Sequence, residues 1–374
     1  MKLAYIANKI NGTSGLQRMI TLQINYFIVN YNYEIDLLLL EQDESEEKNF
    51  FELDKEVGLH YLKHYKNHFI RVYSKVKGLN RTLEIVKPDI VIVCESDIFS
   101  LYLPRFVSRK FKMVYQRHDT KQLNLKSINS SVKAIFLNKL KKLLLTNAGG
   151  GYDKFVLLSD AHRLDWKNLN SIEIISNPII IDTKGVTAKL EQKQVLAVGR
   201  HDYVKGFDML LYCWQKVTEK YPDWKLKIVG KRNSNIDLIS LAKNLNIYDK
   251  VIFKGETKDI SKVYLESSIY ACSSRLEGFP LVIIEAMSFG LPVVSFDCKY
   301  GPREIVKDSV DGILVPQNNI GLLADSLCRL INNVEIRKQM GKKASENIKH
   351  YSVDKIMNQW KTLFEGLIQN SNAV

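Results

Sequence analysis

Two glutamates, Glu277 and Glu285, bracket the run Gly278-Phe279-Pro280-Leu281-Val282-Ile283-Ile284. Ser268–Cys272 before them and Pro292–Phe296 after them are short apolar runs suited to buried parallel strands. Between these strands Pro280 stands where a first helical residue tolerates a missing N–H. Gly290 stands where a helix stops in the left-handed conformation. Glu277 then lies just before a helix and Glu285 within it. Both carboxylates are expected to face one pocket at the carboxyl end of a parallel sheet, where open α/β folds bind ligands. The amides of Gly278, Phe279 and the first helical turn, Leu281 included, are left free to meet a ligand's oxygens.

A second cluster is cationic. Gln194–Gly199 reads as a strand, and Arg200 and Lys205 follow it in the sequence Arg200-His201-Asp202-Tyr203-Val204-Lys205-Gly206-Phe207, just before a helix. A diphosphate could be held there, because arginine grips two oxygens at once and lysine adds a point charge. Taken by itself, such a pair of exposed loop cations usually reads as solvated surface charge. Lys254, Gly255 and Glu256 close another strand, and His118 follows the strand Lys112–Gln116. His118 is expected to point into a cleft between domains, with a hydrogen-bonded loop histidine as the other reading. At the amino end, Lys2–Ala7 reads as a strand leading through Gly12 and Gly15 to a helix from about Leu16 to Tyr31. Ser14 and Gln17 have capping-box spacing. A backbone can approach a phosphate closely at such a turn, but there is no full G-x-G-x-x-G, so a dinucleotide fingerprint is not supported.

These residues need a large α/β scaffold. The 374 residues suggest two domains, and 45% hydrophobic with 25% charged content suits two ordinary cores. Glu34–Leu40, Asp89–Cys94, Lys154–Leu158, Lys225–Gly230 and Val251–Gly255 are further strands. Ser159-Asp160-Ala161 opens a helix, Pro302 another, and Asp311–Pro316 is a turn with a short strand. Glu41–Glu47 reads as an acidic surface loop and Asp182–Lys193 as a linker. The net charge of +13 favours anionic partners. Much of it lies between Arg105 and Lys142, where Ser131–Leu145 reads as a basic amphipathic helix, an ordinary domain helix being the alternative. Nucleic acid is not expected, because no aromatic-interleaved basic motif accompanies the charge. The five cysteines are scattered without a C-x-x-C pair, which argues for reduced thiols rather than zinc or disulfides. Met1–Ala7 is too short an apolar core for a signal peptide, and no apolar run is long enough to span a bilayer.

The stretch E-G-F-P-L-V-I-I-E-A-M-S-F-G-L-P-V-V resembles the signature of the family-4 retaining glycosyltransferases. The G-R-x4-K-G-F pattern is similar to their diphosphate clamp, and the Asn177-Pro178 exit matches as well. The resemblance implies an α/β GT-B fold, with two Rossmann-like domains facing across a cleft and a C-terminal helix crossing back to the N-terminal domain. Residues 1–182 would bind the acceptor, 183–351 the nucleotide sugar, and 352–374 would form the returning helix, docking through Met357, Trp360, Leu363, Phe364 and Leu367. It further implies that Gly12 and Gly15 lie in a loop over the donor phosphates and that Lys254-Gly255-Glu256 lies by the nucleotide base. Glu285 would hold the ribose hydroxyls, while Glu277 and His118 would lie near the transferred sugar. Together Gly278, Phe279, Pro280 and Leu281 complete the expected donor site, and His118, Arg200, Lys205 and Glu277 the catalytic set.

The activity so implied moves a hexose or N-acetylhexosamine from a UDP-sugar to a lipid-linked (polyprenyl) or cell-surface glycan acceptor, with retention of configuration. UDP is favoured because F-D-C-K-Y-G-P-R-E resembles the bacterial capsule, teichoic-acid and O-antigen enzymes. No D-x-D pair occurs in the sequence, so no metal and no other cofactor is expected. Arg200, Lys205 and the helix amino end would steady the leaving nucleotide instead. The alternatives are a UDP-sugar epimerase-type enzyme and a non-catalytic nucleotide-sugar-binding partner. The expected place is the cytoplasm, with the anionic inner face of the cell membrane as a further partner.

Overall fold

The computed structural model describes residues 1–12, 14–41, 51–62, 68–108, 110–118, 144–145, 148–233 and 236–369. The chain forms two compact units, Met1–Asn177 with Asp354–Val374 and Pro178–Val353.

Unit 1 contains β1 (Lys2–Ala7), α1 (Gly15–Tyr31), β2 (Glu34–Leu39), β3 (Gly58–Tyr61), α2 (His68–Val86), β4 (Ile90–Val93), α3 (Ile98–Tyr102), β5 (Lys112–Gln116), β6 (Lys154–Leu157) and β7 (Ile172–Ile174). The strands pair in parallel in the order β3-β2-β1-β4-β5-β6-β7. Leu3–Ala7 and Ile90–Val93 are wholly buried, as central parallel strands with both faces covered must be.

Unit 2 contains β8 (Gln194–Val198), α4 (Phe207–Lys220), β9 (Lys225–Val229), α5 (Leu238–Asn244), β10 (Val251–Lys254), α6 (Ile260–Leu265) and β11 (Ile269–Cys272). It continues through α7 (Leu281–Ser288), β12 (Val293–Asp297), α8 (Pro302–Ile305), β13 (Gly312–Pro316), α9 (Ile320–Asn332) and α10 (Val334–Asn347). Its parallel order is β10-β9-β8-β11-β12-β13. The last helix, α11 (Val353–Gln369), docks on α1 of unit 1. Phe364 lies 5.5 Å from Phe27 between ring centroids, and the Tyr26 hydroxyl donates to Asp354 at 2.7 Å. Met357, Trp360, Leu363, Phe364 and Leu367 are buried there, as their spacing predicts.

Several local expectations are corrected. Pro280 is the N-cap residue and the helix opens at Leu281. The Ser14 hydroxyl pairs with the Gln17 side chain instead of capping the helix backbone. The segment after Ser159 is a 3-10 helix, Asp160–Asp165. Both β3 and α2 were not anticipated. Gly290 does stop its helix at φ +75°, and the Leu291 amide reaches back to the Ala286 carbonyl at 3.0 Å. Residues 182–193 form no regular element, but they are tied down: Ala188 donates to the Phe289 carbonyl, and buried Arg337 donates twice to the Leu190 carbonyl. The expected acidic loop, but for Glu41, and residues 131–143 of the expected basic helix lie outside the described residues. No helix among the described residues is long and apolar enough to cross a membrane.

Candidate active site

Each sheet reverses its strand order once, between β1 and β4 in unit 1 and between β8 and β11 in unit 2. The loops leaving two such neighbouring strands diverge and open a crevice at the carboxyl edge. In unit 2 these are the loops carrying Lys205 after β8 and Glu277 after β11. Lys205 Nζ donates to Glu277 Oε1 at 2.7 Å, and Ser274 Oγ donates to the same oxygen at 2.5 Å. Glu277 is 8% exposed. Burial by itself would push the Lys205 ammonium down. The Glu277 carboxylate, supported by Cys272 and Asp202, carries it above the ordinary lysine value.

Backbone geometry enforces this meeting. Gly206 sits at φ +63°, and a Cβ there would lie 2.1 Å from the Ser273 carbonyl oxygen, so only glycine lets the two loops touch. Ser273 Oγ donates to the Lys205 carbonyl at 3.0 Å. Asp202 caps the 3-10 turn Tyr203–Lys205 by accepting from the Lys205 amide. The loop after β12 supports the other side: Gly301 at φ +87° packs so tightly on Pro280 that a Cβ would fall 2.3 Å from its ring.

The remaining expected residues are distributed around this pair. Arg200 is exposed, its side chain 75% accessible, and meets Asp202 at 3.2 Å instead of joining Lys205. Glu285 is buried within α7 and accepts from the Tyr264 hydroxyl at 2.9 Å. Tyr270 lies in the field of both glutamates: burial, Cys272, Glu277 and Glu285 all raise its phenol well above the ordinary value. The turn supplies fewer amides than expected. Pro280 has none, and Leu281 donates to the Phe279 carbonyl at 2.9 Å. Among the described residues nothing accepts from the amides of Gly278 and Phe279, which remain free at the head of α7. Lys254, Gly255 and Glu256 are exposed at the end of β10, two strands from β8. Among the described residues the Lys254 and Glu256 side chains make no hydrogen bond or ion pair.

In unit 1, Gly12 lies in the loop after β1 and Gly15 is the first residue of α1; neither has positive φ. The Asn8 amide donates to Glu95 Oε1 at 2.5 Å, joining the loops after β1 and β4. His118 follows β5 and is half-buried. Beside it buried Arg117 donates to the Ser96 carbonyl at 3.1 Å and to the Tyr115 hydroxyl at 3.3 Å. Cavities of about 520 Å3 beside Ile181, Ser288 and Ile348, and about 450 Å3 beside Leu83 and Phe111, include none of the candidate residues.

Sequence reasoning missed Arg275, Asp208, Ser274 and Tyr264. Arg275 forks onto Asp208 and so links the Glu277 loop to the Lys205 turn. Its place two residues before Glu277 was the available signal. Asp208 and Tyr264 are recognisable only once the strands are assembled.

Comparison with known proteins identifies the family. The family described as "Glycosyl transferases group 1" matches residues 181–347. An uncharacterized glycosyltransferase of Haemophilus influenzae is 32% identical over 367 residues, covering 96% of this chain and 99% of that protein. The Campylobacter jejuni N-acetylgalactosamine-N,N'-diacetylbacillosaminyl-diphospho-undecaprenol 4-alpha-N-acetylgalactosaminyltransferase is 26% identical, covering 92% and 94% of the two chains. Among solved structures, an S. aureus TarM variant in complex with fondaparinux, alpha-GlcNAc-glycerol and UDP superposes with a TM-score of 0.78 at 18% identity, covering 97% and 99%. The chain therefore belongs to the glycosyltransferases, with residues 181–347 of the group 1 type, and has the GT-B fold.

Proposed function

We propose that this glycosyltransferase is a retaining, metal-independent enzyme of family 4. It moves a hexose or N-acetylhexosamine from a UDP-sugar to a polyprenyl-linked or cell-surface glycan. The observation that carries this reading is the Lys205–Glu277 pair, its carboxylate buried and its ammonium partly so, at the switch point of unit 2, beside two free amides. A diphosphate arriving there offers Lys205 a charge-assisted bond as strong as the one it holds with Glu277. Glu277 is then released toward the sugar. The bond from the anomeric carbon to the phosphate oxygen breaks with its electron pair passing to the phosphate. The acceptor oxygen bonds the same face of that carbon, and its proton goes to the departing phosphate oxygen. Lys205, Arg200 and the Gly278 and Phe279 amides oppose the growing charge; a preorganised donor contributes about 3–4 kcal/mol to the barrier in a water-poor site, and the exposed Arg200 less. Glu285 holds the ribose and His118 serves the sugar. Gly12, Gly15 and the Lys254–Glu256 segment complete donor binding.

The lack of a D-x-D pair in the sequence supports a role for cations in place of a metal. The UDP bound to TarM supports the donor, and the diphospho-undecaprenol in the name of the Campylobacter relative supports a lipid-linked acceptor. Such an acceptor and the charge of +13 favour work in the cytoplasm at an anionic membrane face. The test is UDP release from a panel of UDP-sugars with and without acceptor lipid, followed by nuclear magnetic resonance of the product. Acceptor-dependent release, an α-linkage from an α-donor and activity that survives EDTA are expected. Release without acceptor, inversion at the anomeric carbon, or loss in EDTA restored by manganese would overturn it. For the membrane, sedimentation with anionic liposomes should fall when Lys139, Lys141 and Lys142 are all changed to glutamate; unchanged binding rules out that segment as the anchor.

A further inference from the structure

Arg275 makes four contacts with one short turn. Its Nη1 lies 2.8 Å from Asp208 Oδ1 and its Nη2 2.6 Å from Oδ2, a bidentate fork. Nη1 also donates to the Tyr203 carbonyl at 2.8 Å, and the guanidinium carbon stands 4.1 Å from the centre of the Tyr203 ring. The Arg275 amide donates to the Val204 carbonyl at 2.7 Å. Tyr203, Val204 and Asp208 flank Lys205, whereas Arg275 belongs to the loop of Glu277. The fork is therefore a rigid strut between the two loops, anchored on the first turn of α4, where the helix dipole favours the Asp208 charge. Burial would lift the Asp208 carboxyl, but its bonds to Arg275 hold it below the ordinary value. The strut is also separable from folding. With the Arg275 side chain removed, the bonds from Ser273 Oγ to the Lys205 carbonyl and from the Arg275 amide to the Val204 carbonyl remain.

We propose that Arg275 is a positioning residue of the donor site: forked onto Asp208 and stacked on Tyr203, it fixes the 203–208 turn against the 273–277 loop and so sets where Lys205 Nζ meets a nucleotide diphosphate. This rests on the UDP-sugar reading above. A lysine at 275 would keep the charge but lose both the fork and the planar stack.

The test is calorimetric UDP binding by the full chain, with melting temperature followed in parallel. The proteins are wild type, Arg275→Ala, Lys205→Ala and the double variant. UDP affinity should fall about tenfold in Arg275→Ala, the size of coupling expected between contacting residues, and further in Lys205→Ala. The double variant should bind no more weakly than Lys205→Ala, because Arg275 acts through that lysine. Arg275→Lys should recover part of the loss. If Arg275→Ala folds poorly, Asp208→Asn removes the same strut from its other end and should give a smaller loss with the same dependence on Lys205. Wild-type affinity in Arg275→Ala, or an equal fold loss with and without Lys205, overturns the positioning role while leaving the donor assignment standing. A wild-type chain that takes up no UDP overturns the donor assignment and this role together.

Discussion

The two switch points share a topology and differ in what holds their loops together. In unit 1 the loops after β1 and β4 are joined by a main-chain donor, the Asn8 amide, on the Glu95 carboxylate. In unit 2 two charged side-chain pairs, Lys205 on Glu277 and Arg275 on Asp208, join the loops alongside the bond from the Arg275 amide to the Val204 carbonyl. Main-chain bonds fix a shape and have no easy substitute. An ammonium–carboxylate contact can be replaced by an ammonium–phosphate contact at little cost, because both are charge-assisted bonds of similar strength. A sheet edge built the second way is ready for an anion, and the proposed donor site lies there.

The comparison breaks first at its two glutamates. Glu277→Ala leaves the Lys205 ammonium, 19% exposed, without its counter-charge. Stranding one partner of such a pair costs about 3–5 kcal/mol, at the low end here given the residual exposure. Glu95→Ala removes an acceptor from one main-chain amide, for about 1–3 kcal/mol. Urea unfolding of the two variants should therefore rank Glu277→Ala as the larger loss. The reverse order would mean that the unit 1 crossing is the more charge-dependent one.

Next in size is an asymmetry between the two cations. Lys205→Ala should lower sugar transfer about a hundredfold with unit 2 still folded, as deleting one preorganised donor does elsewhere. Arg200, exposed and paired at 3.2 Å with Asp202, is held less firmly. Arg200→Ala should cost about tenfold, since less of its interaction is preorganised. Steady-state rates with saturating donor separate the two, and equal losses would show that Arg200 swings fully into place when donor binds.

How legible this was from sequence differs between the units in the same way. The buried strands of both declare themselves as apolar runs such as Val195-Leu196-Ala197-Val198 and Ile269-Tyr270-Ala271-Cys272, and the helix stop at Gly290 needs only its own φ. Glu277 and Lys205 were legible because their neighbours are short-range: a glycine, a proline, a strand end. By contrast β3 was not, because Gly-Leu-His-Tyr is an edge strand with no buried face and hence no period to read. Arg275 and Asp208 are brought together only by the pairing of β8 with β11, so no local pattern announces the fork. In unit 1, Ser14 and Gln17 had the spacing of a capping box, but two side chains that can bond each other need not bond the backbone.

A smaller effect tests the charge itself. The Lys205 pKa is raised above its unfolded value, so the pair's contribution is complete below the ordinary lysine pKa and is lost as pH rises through the shifted one. The stability gap between wild type and Lys205→Met should thus be flat from pH 7 to 9 and close only above about 10.4, the ordinary lysine value. Denaturant midpoints across this range provide the measurement. A gap that closes below pH 9 would contradict a buried pair with Glu277.

The smallest effect concerns His201, between Arg200 and the capping Asp202. It is 4% exposed and edge-on to Phe207 at 5.6 Å, and among the described residues its Nε2 has no hydrogen-bond partner. Burial, and then the Arg232 charge, lower its pKa. The unfolded chain therefore binds a proton that the folded imidazole refuses, and wild-type stability should fall as pH drops below about 6.5, the ordinary histidine value. His201→Phe removes that proton uptake and fills the same apolar niche, so its melting temperature should depend less on pH between 5 and 7. Because the imidazole belongs to the cationic loop itself, the change reports on unit 2. A wild-type acid slope that persists in His201→Phe would place the titrating group elsewhere.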